Sequence, residues 1–175
     1  TVFSLWDTYR NVSSLMTLLY PDRQLDIIQT MLDMYKENGW LPKWELYSRE
    51  TFTMEGDPAI PYIVDAWMKG LRDFDTELAY EAMRKGATTP GEYNLLRPDA
   101  NDYFSLGYVP LREQFDNSVS HALEYYIADW SLSKFAEALG KKEDAKLFYE
   151  RSMGYKHYYC KEYGTFRPIL PDGTF

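Results

Sequence analysis

The chain has one cysteine, two histidines, no run of basic residues and no long apolar stretch. Each scarcity removes a class of explanation. Cys160 alone can form neither an internal disulfide nor a thiolate zinc site. His121 and His157 lie far apart and share no ligand-like spacing with Cys160. His157-Tyr158-Tyr159-Cys160 also lacks the base-and-orienter pattern of a thiol nucleophile. No glycine-rich phosphate loop occurs; Met68-Lys69-Gly70 and Lys85-Gly86 read as helix ends. A net charge of −8 and a pI near 4.8 argue against a nucleic-acid partner. No segment approaches the ~18 uninterrupted apolar residues of a membrane span.

What is abundant is aromatic: 5 Trp, 16 Tyr and 9 Phe in 175 residues. That apolar area excludes intrinsic disorder and supplies a core for one domain. The opening residues Val2 to Asp7 carry no signal-like segment and read as the interior of a folded protein. At the other end, Gly164 to Phe175 reads as a strand, a Pro171-Asp172-Gly173 turn and the start of a return strand. Both ends lead us to expect an excerpt of a longer polypeptide.

Hydrophobic periodicity predicts six helices: 12–19, 21–37, 57–70, 75–85, 118–140 and 143–159. Pro21 suits a first helical turn, and Asn38-Gly39 a left-handed cap. On the fifth helix Val119, Leu123, Tyr126, Ile127 and Trp130 are expected to face one way. The stretch 88–117, rich in Pro, Gly, Asn and Tyr, reads as irregular. The fold class expected is all-α: three helical hairpins across 1–175. They would form about half of an (α/α)6 toroid, with a short C-terminal β-hairpin-like segment. Solenoid repeats keep their connections short, whereas loops of roughly 20 to 30 residues in a compact domain are usually functional.

Four places, at loop or helix-end positions, combine a ring with an acid: Trp6-Asp7, Trp44-Glu45, Asp57 after Phe52, and Glu124 or Asp129 beside Tyr125 and Trp130. Sugar recognition uses this combination, because rings pack on the apolar face of a pyranose while charged groups grip its hydroxyls. Glycosidic hydrolysis needs two carboxyl groups besides. Each pair also has a bland reading. An acid at a helix start is often a cap, Asp7 and Arg10 can pair with each other, and Glu124 can sit on a solvated face.

Taken in order, several segments resemble glycoside hydrolase family 92, the exo-acting α-mannosidases. They are Phe3-Ser4-Leu5-Trp6-Asp7-Thr8-Tyr9-Arg10, Gly39-Trp40-Leu41-Pro42-Lys43-Trp44-Glu45, Gly56-Asp57-Pro58-Ala59, Gly107-Tyr108-Val109-Pro110, Ser118-Val119-Ser120 through Glu124 to Trp130, and Arg167-Pro168. The resemblance implies a toroidal catalytic domain completed by further helices and by an N-terminal β-sandwich domain. It also implies calcium dependence, a mannose-containing glycan as substrate and release of mannose with inversion. Secretion, or a periplasmic or cell-surface place in a bacterium, is implied as well. Carried over residue by residue, it marks Trp6, Asp7, Trp44, Glu45 and Asp57, with Glu124, as substrate-pocket residues. It assigns no catalytic acid, base or metal ligand within 1–175. The competing reading is a non-catalytic helical-repeat module that binds a protein, from the tetratricopeptide-like run Ala138 to Glu150.

Overall fold

A computed structural model describes residues 3–47, 49–113 and 117–175. Among them the helices are α1 (Leu5–Thr8), α2 (Val12–Leu19), α3 (Pro21–Asn38), α4 (Ala59–Met68), α5 (Thr76–Thr88), α6 (Ala100–Leu106), α7 (Ser118–Ala138) and α8 (Lys142–Ser152). The six expected helices are all present. Local chemistry sets their ends. Pro21 opens α3, and Gly39 at φ 77° closes it in the left-handed region. The Asp75 carboxylate caps α5 by accepting from Leu78 N at 2.9 Å.

Three helical hairpins result, α2–α3, α4–α5 and α7–α8. Helices α2, α4 and α7 touch in succession as one row, and α3 packs on α5 in a second row behind it. Ile28, Met31, Leu32, Ile63, Met83, Leu132 and Phe135 fill the space between the rows. A second cluster around Tyr103, Tyr125, Tyr126 and Tyr158 lies where α6, α7 and the C-terminal segment meet. Apolar side chains remain exposed on the first row, among them Leu15, Leu18, Met68 and Trp130. No helix among the described residues is long and apolar enough to cross a membrane.

Three expectations change. The stretch 88–117 is not wholly irregular, because α6 lies within it; Tyr103 on α6 packs against Tyr125 and Tyr126 on α7, each at 5.4 Å between ring centroids. The sixth helix ends at Ser152 and continues as a 3-10 turn, Met153–Tyr158. On α7 the buried positions include Ala122, Tyr125, Tyr126, Ala128, Asp129, Leu132 and Phe135, while Ile127 and Trp130 are exposed. That helix is covered on several sides, so a single stripe does not describe it.

Two small ribbons complete the fold. β1 (Glu45–Leu46) pairs with β2 (Arg49–Glu50), and β3 (Tyr159–Cys160) pairs with β4 (Thr165–Phe166), both antiparallel. The expected C-terminal strand therefore pairs backward, onto β3. Pro171-Asp172-Gly173 does form a turn, closed by Leu170 N donating to Thr174 O at 2.7 Å.

Candidate functional site

The segment 3–5 runs beside 43–45. Leu5 N donates to Lys43 O at 3.2 Å, Glu45 N donates to Phe3 O at 3.1 Å, and Ser4 bridges Trp44. This joins the two stretches that carry Trp6-Asp7 and Trp44-Glu45. The Glu45 carboxylate turns inward and accepts from Phe3 N at 3.1 Å, and burial raises its pKa.

The loop that follows is organised by one side chain. Glu50 accepts from the backbone amides of Lys43 (2.6 Å), Trp44 (2.9 Å), Thr51 (2.9 Å) and Phe52 (2.7 Å). Sequence reasoning missed this role, since nothing distinguishes Glu50 from a solvated acid. Such bonds hold the loop against its own strain. Phe52 and Met54 sit at φ 53° and 70°, where non-glycine residues lose about 1–2 kcal/mol each. Strain of this kind gathers at ligand sites.

Gly56, at φ 73°, ends the loop against α7. An alanine Cβ there would lie 2.5 Å from Glu124 Cβ. Gly56→Ala should therefore lower the unfolding free energy of the full-length protein by at least about 2 kcal/mol, from left-handed strain plus overpacking. A denaturant midpoint within error of the wild type would contradict that contact.

Behind Gly56, Glu124 is buried and gathers two partners from beyond α1. Tyr9 Oη donates to Glu124 Oε2 at 2.5 Å, and the Arg10 guanidinium pairs with Oε1. Burial, and then Glu124 itself, push the Tyr9 phenol well up. Arg10 also lies over the Trp6 and Tyr9 rings, at 5.4 and 4.8 Å. Thus Trp6 and Glu124 do meet, through Arg10. The Trp6 indole N–H is buried without an acceptor among the described residues. Asp7 differs from both bland readings of it. It is exposed, its carboxylate takes no hydrogen bond among the described residues, and Arg10 has gone to Glu124 instead.

Asp57, marked as a pocket residue by the resemblance, has its carboxylate in the interior of the described residues, 2.9 to 3.2 Å from Arg97. On the other side Arg97 Nη1 lies 2.8 Å from Asp129 Oδ1, a close ion pair off hydrogen-bond alignment. Tyr103 Oη donates to Asp129 Oδ2 at 2.8 Å. Arg97 is 0% exposed, with the Tyr125 ring 5.1 Å from it. One cation between two carboxylates leaves the group one negative charge over. Burial therefore pushes Asp57 up to about 6, opposed by Arg97 and reinforced by Asp129. The role of Arg97 has no local signal in the sequence.

Cavities flank the loop. One of about 590 Å3 is lined by Trp40, Pro42, Glu45, Arg49, Glu50 and Phe52. A second, about 390 Å3, is lined by Lys43, Phe52, Thr53, Met54, Glu55 and His121. Phe52 and Leu95 border both. Glu45 lines the first, Asp57 borders a closed gap, and Asp7 is exposed. Neither of these two cavities is lined by all three acids. Trp44 is half-buried, its amide held by Glu50.

The resemblance implies calcium. Among the described residues no cluster of three or more His, Cys, Asp or Glu could hold a metal ion. The carboxylates that do gather are taken: Asp57 and Asp129 by Arg97, Glu50 by amides, Glu124 by Tyr9 and Arg10. The described residues do not fit a calcium site.

Rings, carboxylates and guanidinium groups gather on a helical-hairpin scaffold, the residue types that sugar recognition uses. The glycosyl hydrolase family 92 catalytic domain matches residues 1–175, and the chain belongs to that family. The match includes the tetratricopeptide-like run. Among solved structures, the family GH92 inverting mannosidase BT2199 of Bacteroides thetaiotaomicron is 34% identical over 98% of this chain and 23% of its own, with a TM-score of 0.89. The α-mannosidase BT3965 of the same organism, in complex with mannoimidazole, is 32% identical over 99% of this chain and 22% of its own, with a TM-score of 0.84. An uncharacterized secreted glycosidase of Arthroderma benhamiae is 29% identical over 152 residues, 81% of this chain and 19% of its own length. The chain thus spans less than a quarter of the relatives it matches.

Proposed function

We propose that the protein is an exo-acting α-mannosidase in which these residues form one wall of the substrate pocket. The observation that carries the reading is the 34% identity to an inverting mannosidase over 98% of the chain. Asp7, with its unused carboxylate, grips a hydroxyl of the terminal mannose. Trp6 precedes Asp7 in the chain, and Glu45 lines a cavity from the segment paired with residues 3–5. Glu124 acts at one remove, holding Tyr9 and Arg10 and through them the Trp6 ring.

Inversion requires an acid and a base about 6.5–9.5 Å apart with a water between them. Both, with any calcium ligands, are supplied in this reading by residues outside 1–175. So are the remaining helices that close an (α/α)6 toroid over the exposed apolar face of α2, α4 and α7, and a β-sandwich domain ahead of it. The likeness to a secreted glycosidase supports action outside the cell. Full-length protein in calcium-containing buffer should release mannose from α-1,2-mannobiose, with β-mannose appearing first by proton NMR and activity lost to a chelator. Absence of any release with calcium present would overturn the assignment.

A further inference from the structure

Lys43 is 3% exposed, yet among the described residues its ammonium makes one hydrogen bond, to Leu96 O at 3.3 Å. An ammonium carries three donors, and burying it with two unused is costly. No carboxylate among the described residues forms an ion pair with it. Of the acids near enough to act on it, Asp57 is held by Arg97 and Glu50 by four amides, while Glu55 accepts no hydrogen bond among the described residues. Burial accordingly depresses the Lys43 pKa to about 8. A methionine would fill the same space without that cost, so the charge serves something other than packing.

Lys43 and Glu55 both line the cavity of about 390 Å3, within the roughly 300–1,000 Å3 of small-molecule sites. The left-handed Phe52 and Met54 present the loop to it, and His121 stands on its wall with Nδ1 2.5 Å from Asp99 Oδ2. Glu55 and Asp99 together disfavour an anion. A neutral polyol suits the wall better, since its hydroxyls accept from Lys43, donate to Glu55 and leave an apolar face for Phe52.

Resting on the mannosidase reading, we propose that this cavity is a hexose subsite for the leaving-group side of the glycan, with Lys43 and Glu55 as its specificity-determining residues. Phe52 partitions it from the cavity that Glu45 lines.

The test uses the full-length enzyme and two substrates, α-1,2-mannobiose and 4-nitrophenyl α-mannoside, whose leaving group is not a sugar. Lys43→Met should lower kcat/KM ten- to a hundredfold on the disaccharide and change it less than twofold on the aryl mannoside. Glu55→Gln, at a half-buried loop position, should act in the same direction and provides the reading if Lys43→Met does not fold. Equal losses on both substrates, or none on either, overturn the subsite. Wild-type protein that cleaves neither substrate counts against the mannosidase reading instead. The cavity is then judged by mannose titration followed by NMR, where binding undiminished in both variants, or absent from the wild type, overturns the proposal.

Discussion

Arg97→Met should cost the full-length protein at least about 3–5 kcal/mol, the penalty for leaving a buried charge without its partner. Here one guanidinium serves two acids, Asp57 and Asp129, all three within 2% of complete burial. Against a typical total of about 5–15 kcal/mol, the variant should unfold near working temperature or fail to accumulate as soluble protein. Removing the whole charge group is expected to be milder than removing its centre. Arg97→Met combined with Asp57→Asn and Asp129→Asn should recover much of the lost stability, because no uncompensated charge remains. A midpoint for Arg97→Met within about 1 kcal/mol of the wild type would mean that the three groups do not depend on one another.

The same network sets a pH dependence whose sign follows from Asp57. Its folded pKa, about 6, lies above the ordinary value of 3.8, so the folded protein binds this proton more tightly than the unfolded chain does. The stability from this source is fully present below about pH 4, declines as pH rises towards 6 and is flat above. Asp57→Asn should remove that slope. Chemical denaturation at pH 4.5 and 7 reads the difference directly.

Asp7→Ala should have the larger effect on turnover. A charge-assisted hydrogen bond contributes roughly 1.5–3 kcal/mol, and a bond that tightens in the transition state translates into about 10- to 150-fold in kcat/KM on an α-mannoside. Stability should move by no more than about 0.5 kcal/mol, since the carboxylate is exposed and neither caps α1 nor pairs with Arg10. A melting temperature that falls in step with activity would assign Asp7 to the scaffold and remove it from the pocket.

Asp7 and Asp57 show how far residue type alone reaches. Both follow ordered motifs, and both belong to the chemistry of sugar recognition. In the fold they part: Asp7 stays in solvent, and Asp57 is drawn inward by a guanidinium 40 positions along the chain. Glu45 and Glu124 divide in the same way, one bordering an open cavity and the other closed behind Gly56 by Tyr9 and Arg10. Lys43 and Glu50 have no local mark at all. Their roles come from amides and carbonyls that the loop brings around them.

The sequence by itself determined the helices that repeat every 3.6 residues, their ends at Pro21, Gly39 and Asp75, the family, and the residue types available to a sugar. These are short-range properties, carried by spacing and backbone preference within a few residues. It did not disclose α6, because Ala100–Leu106 has too little apolar periodicity to stand out and depends on Tyr103 packing under α7. Only the tertiary structure decided which charges are neutralised and which remain available. Ion pairing in a dry interior depends on distances between segments remote in the chain, and those distances exist only once the rows of helices have packed.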